Sequence, residues 1–240
     1  MPIQIFIMAD DFAERALHFH KRLKYTGGKL PDGIKVMNPF ADFPQTLSVL
    51  TSFLKRYSSD NHPRHIILGI NPGRHGAGLT GIPFTDPKRL INTLHIPYSG
   101  RMAHEPSSVF VYEMIDAYGG PELFYKNFYI NSPCPLGFLS VDNKGREKNY
   151  NYYDSAALTA SANPFMIDSV KKLVGLGIKT DVAFCLGTGK NAAFLQSFNA
   201  KHGFFKKLIP LEHPRYIMQY QSRNKQFYID KYIQALRSVN

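Results

Sequence analysis

The sequence predicts an α/β fold: a three-layer α/β/α sandwich around a central, mainly parallel four-stranded sheet. Two observations predict it. Short, mostly apolar runs at 65–70, 127–131, 181–186 and 206–211 have the length and composition of buried strands. Stretches carrying helix-start signals separate them, and strands alternating with helices imply parallel pairing under helical cover. The 240 residues are enough for one domain with a sizeable core, so residues 1–240 are expected to form a single unit whose first 60 residues are largely helical.

The elements follow in chain order. Asp10 or Asp11 can cap a first helix ending near residue 23. Residues 24–38, rich in Gly and Pro, read as a connection. Pro44 suits the first turn of a helix through residue 56. After the strand at 65–70, Asp86-Pro87 starts a helix to about 95, and 107–118 reads as another. Residues 138–153 read as a polar hairpin turning at Asn143-Lys144-Gly145. Asn163-Pro164 reads as the start of a helix to about 176, followed by a helix over 189–200 and a closing helix over 222–237. No internal repeat or low-complexity segment is present.

Composition narrows the class of partner. The formal net charge is +11, which suits a polyanion. Residues 201–240 hold eight Lys or Arg against two acids, with Tyr216, Tyr220 and Phe227 among them; basic and aromatic residues so mixed fit a surface that grips phosphates and stacks bases. Two cysteines argue against a disulfide framework and for a reducing cytoplasm. The start MPIQIFIMADD lacks a basic leader region and no 18-residue apolar run exists, so neither a signal peptide nor a membrane span is expected.

The most informative segment is 68–84, LGINPGRHGAGLTGIPF. It places a glycine-rich loop at a strand's carboxyl end, where open α/β sheets bind ligands. It is not a phosphate cradle of the Walker kind, because no Lys follows the glycines, and its glycine spacing fails the dinucleotide fingerprint. Gly187-Thr188-Gly189-Lys190 resembles half a P-loop, but Phe184 stands where the first Gly belongs, so it reads as a tight strand-to-helix turn. Two further strands end similarly, in Asn131-Ser132-Pro133 and His213-Pro214. Parallel pairing would bring Asn71, Asn131 and His213 to one sheet edge.

These segments resemble the motifs of the uracil-DNA glycosylase superfamily, most nearly its single-strand-selective monofunctional branch. That branch carries G-M-N-P-G-P-x-G-M-x-Q-T-G-V-P-F, which Gly69-Ile70-Asn71-Pro72-Gly73 through Thr80-Gly81-Ile82-Pro83-Phe84 match without a gap. Its H-P-S-P motif corresponds to His213-Pro214-Arg215-Tyr216, with Arg215 replacing Ser, and its N-x-C-P-L stretch to Asn131-Ser132-Pro133-Cys134-Pro135-Leu136, one residue longer. The resemblance implies an enzyme that excises uracil from DNA by hydrolysing its N-glycosidic bond. It implies catalytic roles for Asn71, which would position water near C1′, and for His213, which would hydrogen-bond uracil O2. It implies base contacts by Ile70, Gly73, Phe84 and Asn131, and DNA contacts by Arg215, Tyr216, Met218 and Arg223. Other deaminated bases such as xanthine or hypoxanthine, and a non-catalytic binding module of the same fold, are the alternatives. No cofactor or metal is expected; two cysteines cannot supply the four that some branches use for an iron–sulfur cluster. The expected partner is DNA, the expected state a monomer, the expected location the cytoplasm. No lysine stands at the motif positions for Schiff-base strand cleavage.

Overall fold

The structure, a computed structural model, describes residues 10–239; most of the opening segment read above as carrying no leader lies outside them. Helix α1 (Phe12–Lys21) begins at Asp11, whose carboxylate accepts from the Glu14 N–H while Glu14 returns the bond, a capping box. The stretch read as a plain connection, 24–38, contains a short strand, β1 (Ile34–Met37), and one turn of helix, α2 (Pro39–Asp42), follows directly after it. Asn38 caps that turn and Pro39 fills its first position, a start signal that the Gly/Pro reading overlooked. Then come α3 (Pro44–Ser58) and the wholly buried β2 (Arg64–Leu68).

The glycine-rich loop contains one helical turn, α4 (Ala77–Thr80), and is followed by α5 (Pro87–Asn92) and α6 (Pro106–Tyr118). An unanticipated helix, α7 (Pro121–Asn127), starts where Gly119 and Gly120 take positive φ before Pro121. It feeds β3 (Phe128–Asn131). The hairpin forms as expected from β4 (Gly137–Val141) and β5 (Glu147–Tyr150).

Helix α8 (Ala156–Val174) begins eight residues before Pro164. Ser155 is its cap, accepting from the Leu158 N–H at 3.1 Å. Pro164 lies inside it on an exposed face, beside an exposed Ala160 whose carbonyl loses its helical partner to the ring and can turn to water. The Asn-Pro start signal is therefore overridden by a stronger cap upstream. The remainder is β6 (Ile178–Leu186), α9 (Lys190–His202), β7 (Lys207–Leu211), α10 (Pro214–Tyr220) and, after a 3₁₀ turn at Ser222–Asn224, α11 (Lys225–Arg237). Gly187, at φ +114°, makes the tight turn expected between β6 and α9.

The central sheet has the order β3-β2-β6-β7 and is parallel throughout. α7 packs on β2 and β3, and α8 and α9 on β6, so helices flank the sheet as the sequence predicts. A separate antiparallel sheet, β1-β4-β5, joins the missed N-terminal strand to the hairpin. Chain order reverses at β2, with β3 on one side and β6 on the other, which opens a crevice beyond the strands' carboxyl ends. Leu68 pairs with Asn131, and Leu186 with Leu211, so the chain segments bearing Asn71, Asn131 and His213 leave the sheet at one edge.

Candidate active site

Asn71, Asn131 and His213 line a single recess together with Ile70, Gly73, Phe84 and Arg215. Tyr216, Met218 and Arg223 do not line it. Three walls come from residues without a motif. His20, Pro39 and Phe40 arrive from the N-terminal part, Glu105 from the start of α6, and Asn151 from the segment after β5.

Asn71 is held from both ends of its amide. Its Nδ2 donates to the Tyr150 carbonyl at 3.1 Å, and its Oδ1 accepts from the Tyr152 N–H at 3.2 Å. The end of the hairpin strand β5 and the residues just after it thus fix which way the amide points. A carboxylate could accept from Tyr152 but could not donate to Tyr150, so the position discriminates Asn from Asp.

Asn131 is oriented by a buried chain of hydrogen bonds. Its Oδ1 accepts from the Ser132 N–H at 2.8 Å and its Nδ2 donates to the Tyr129 hydroxyl at 3.0 Å. A flipped amide would set an N–H against the Ser132 N–H, so the assignment is physical. Tyr129 in turn lies 3.0 Å from His20 Nε2. Having accepted from Asn131, Tyr129 donates its proton to that nitrogen. Burial holds the His20 pKa at about 3, so the ring is neutral and accepts. Each end of the Asn131 amide keeps one hydrogen-bonding position for a ligand. Tyr129→Phe should release the amide and slow turnover about tenfold, a bond's worth of about 1.5 kcal/mol; an unchanged rate would mean that Asn131 holds its orientation alone.

His213 is the N-cap of α10: its Nδ1 accepts the Arg215 N–H at 3.0 Å, and Pro214 follows at the first helical position. Arg215, Tyr216 and Met218, expected from the resemblance to contact DNA, therefore stand on the helix α10. Burial, reinforced by the Arg215 charge, holds the His213 pKa at about 3. The imidazole is neutral near pH 7 and its Nδ1 lone pair is occupied, so its proton is on Nε2. The ring is a preset neutral donor.

Phe84 closes the recess 5.8 Å from the His213 ring, with φ +54°, a left-handed backbone unusual for an aromatic residue. Its loop is pinned by Thr80, which donates to the Thr85 carbonyl at 2.6 Å, and by Thr85, whose hydroxyl pairs with Tyr112 at 2.8 Å. Of Gly76, Gly78 and Gly81, only Gly81 takes a positive φ, +73°, and a Cβ there would stand 2.7 Å from Phe40 and 2.8 Å from Thr46. The glycines mainly let this loop press on the N-terminal part.

Behind Phe84, the wholly buried Asp86 ties two helices together. It accepts from the Arg89 N–H of α5 and from the Glu105 N–H and Ser108 hydroxyl at the start of α6, at 2.8–3.1 Å, and pairs with His104 Nδ1. Asp86→Ala should destabilise the protein by on the order of 3 kcal/mol in urea unfolding, because it strands several buried donors at once.

The basic face is smaller than the residue count suggests. Lys225 pairs with Glu113 and Lys231 with Glu212. Arg215, Arg223 and the exposed rings of Tyr216, Tyr220 and Phe227 remain along α10 and α11. Among the described residues no three His, Cys, Asp or Glu gather as a metal site would require, and no helix is long and apolar enough to cross a membrane.

The family model for the uracil DNA glycosylase superfamily matches residues 56–237. A crystal structure of wild-type SMUG2 from Pedobacter heparinus is 58% identical, with a TM-score of 0.94, over 96% of this chain and 98% of that one. No curated protein matches. The motif segments, the shared sheet edge and these matches agree: the chain belongs to the uracil DNA glycosylase superfamily, whose members are hydrolases that remove bases from DNA.

Proposed function

We propose that the recess takes a uracil flipped out of DNA and that its N-glycosidic bond is hydrolysed there by a monofunctional mechanism. The observation that carries this reading is the convergence of Asn71, Asn131 and a neutral His213 on one recess capped by Phe84. Bond cleavage builds negative charge on the departing base and positive charge on the sugar. His213 donates its Nε2 proton to uracil O2, a bond that strengthens as charge grows on that oxygen. Asn131 donates to O4 and accepts from N3–H through the two positions its buried partners leave open. Cytosine presents a donor and an acceptor in the opposite places, leaving both ends of the amide unpaired. Phe84 stacks on the ring, a contact worth about 1–3 kcal/mol. The Ile70 backbone borders the base, Gly73 leaves room beside the sugar, and Asn71 orients the attacking water.

Arg215, Tyr216, Met218 and Arg223 contact the strand around the flipped nucleotide. The exposed Tyr216 and Tyr220 rings, 5.7 Å apart, suit stacking of unpaired bases, so single strands are the favoured substrate and one molecule suffices. The test is alkali-revealed cleavage of labelled oligonucleotides holding one uracil, single-stranded or opposite guanine, beside xanthine and hypoxanthine versions. Fastest cleavage of single-stranded uracil is the expected result. Cleavage of the purine substrates with uracil untouched would overturn the base assignment.

A further inference from the structure

Among the described residues Glu105 is the one carboxylate lining the recess, and no motif pointed to it. Its backbone N–H is fixed by Asp86 at 2.8 Å. Its side chain faces the cavity shared by Asn71 and His213, and with Gly73 and Arg215 it also lines an adjoining cavity. Its Oε2 is buried and makes no hydrogen bond among the described residues. The carboxyl rests on Gly76, where a Cβ would collide with Oε2 and stand 2.8 Å from Cδ. Its place therefore exists only because residue 76 lacks a side chain. A carboxylate oxygen buried without a partner is costly to keep, so its retention calls for a use.

The reaction leaves such a use open. The water that attacks C1′ must shed a proton. Asn71 has no site to take one, and both ends of its amide already bond to backbone. His213 has Nδ1 occupied and Nε2 already protonated. We propose that Glu105 is a further catalytic residue, the base that accepts the proton of the attacking water. The inference rests on the recess holding the flipped uridine. A lone pair of the water oxygen forms the bond to C1′ as the C1′–N1 bond breaks. The electron pair of that bond leaves with the uracil anion. The water proton passes to the Glu105 carboxylate, which later returns it to the released base or to solvent.

The charged and titratable groups around Glu105 agree with this role. Desolvation is the largest influence and raises its pKa to about 7, with the Asp86 carboxylate adding to it and the Arg215 guanidinium opposing it. His104, held on Asp86, and His75 face it across the adjoining cavity, and His213 across the recess. The basic form is therefore available in the neutral range and lost below it.

The test is single-turnover excision from a single-stranded uracil oligonucleotide between about pH 5 and pH 9, with wild type, Glu105→Gln and Asn71→Ala in parallel. The wild-type rate should climb with pH through about 7 and level off. Glu105→Gln should be about 100-fold slower at the plateau and lack that rise. Thermal melts separate chemistry from folding. The raised pKa means that the folded state holds this proton more tightly than the unfolded chain. Wild type therefore loses stability as pH rises from the ordinary carboxylate range to about 7. Glu105→Gln escapes that loss and should melt at or above wild type near pH 8. A Gln variant within threefold of wild type and with the same pH profile would overturn the proposal, as would a lost activity matched by a lower melting point. Wild type that leaves uracil untouched at every pH would instead sink the uracil reading of the recess.

Discussion

Replacing Asn71 with alanine should slow single-turnover uracil excision by about 100-fold or more, because the attacking water loses its placement at the sugar. Affinity for a uracil-containing strand should stay within a few-fold, since the proposed grip on the strand, the α10–α11 face, and on the base, Phe84 and Asn131, is left intact. Asn71→Asp should also be slow. Its carboxylate would face the Tyr150 carbonyl, to which the native amide donates at 3.1 Å, and the like partial charges would push it out of place. Binding lost in proportion to rate would show that Asn71 supports the recess rather than the chemistry.

His213→Ala should cost about 10²–10³ in rate, the usual consequence of removing one donor aimed at a developing oxyanion. His213→Gln, which keeps an N–H donor, should recover part of that loss. Burial and the Arg215 charge hold the His213 pKa at about 3. The ring is therefore neutral over the whole working range, and neither variant should remove a titration near the ordinary histidine value. Loss of such a titration in His213→Gln would mean that the ring works as an imidazolium, against the tautomer argued from the Arg215 N–H.

That Asn71, Asn131 and His213 meet in one recess was legible, because backbone constraints that sequence displays bring them there. Asn71 and His213 directly precede a proline and Asn131 stands two residues before one, each at the end of an apolar run, and parallel pairing does the rest. What holds those side chains in place was not legible, because it arrives from far along the chain. Tyr150 and Tyr152 clamp Asn71 through main-chain atoms, which any residue would supply. His20 reaches Asn131 only through Tyr129, across 109 positions of sequence. Residues 10–60 carry no motif for the same reason: their contribution to the recess is a wall, from His20, Pro39 and Phe40, whose identity depends on shape. Two misses did leave a signal. His213-Pro214 is a cap followed by proline at the first helical position, enough to predict α10. Glu105 precedes Pro106, which fills the first position of α6, so the start of that helix marks it. The helix misplaced at Pro164 shows the reverse, a strong local signal beaten by Ser155 and an exposed face that tolerates the lost bond.

The most direct test of the central claim is a crystal structure of the Asn71→Ala variant with a single-stranded oligonucleotide bearing one uracil. The account predicts the base in the recess against Phe84, with O2 at His213 Nε2 and the O4 and N3–H edge on the Asn131 amide. A uracil bound elsewhere, or held in the recess with its O2 edge away from His213, would contradict it.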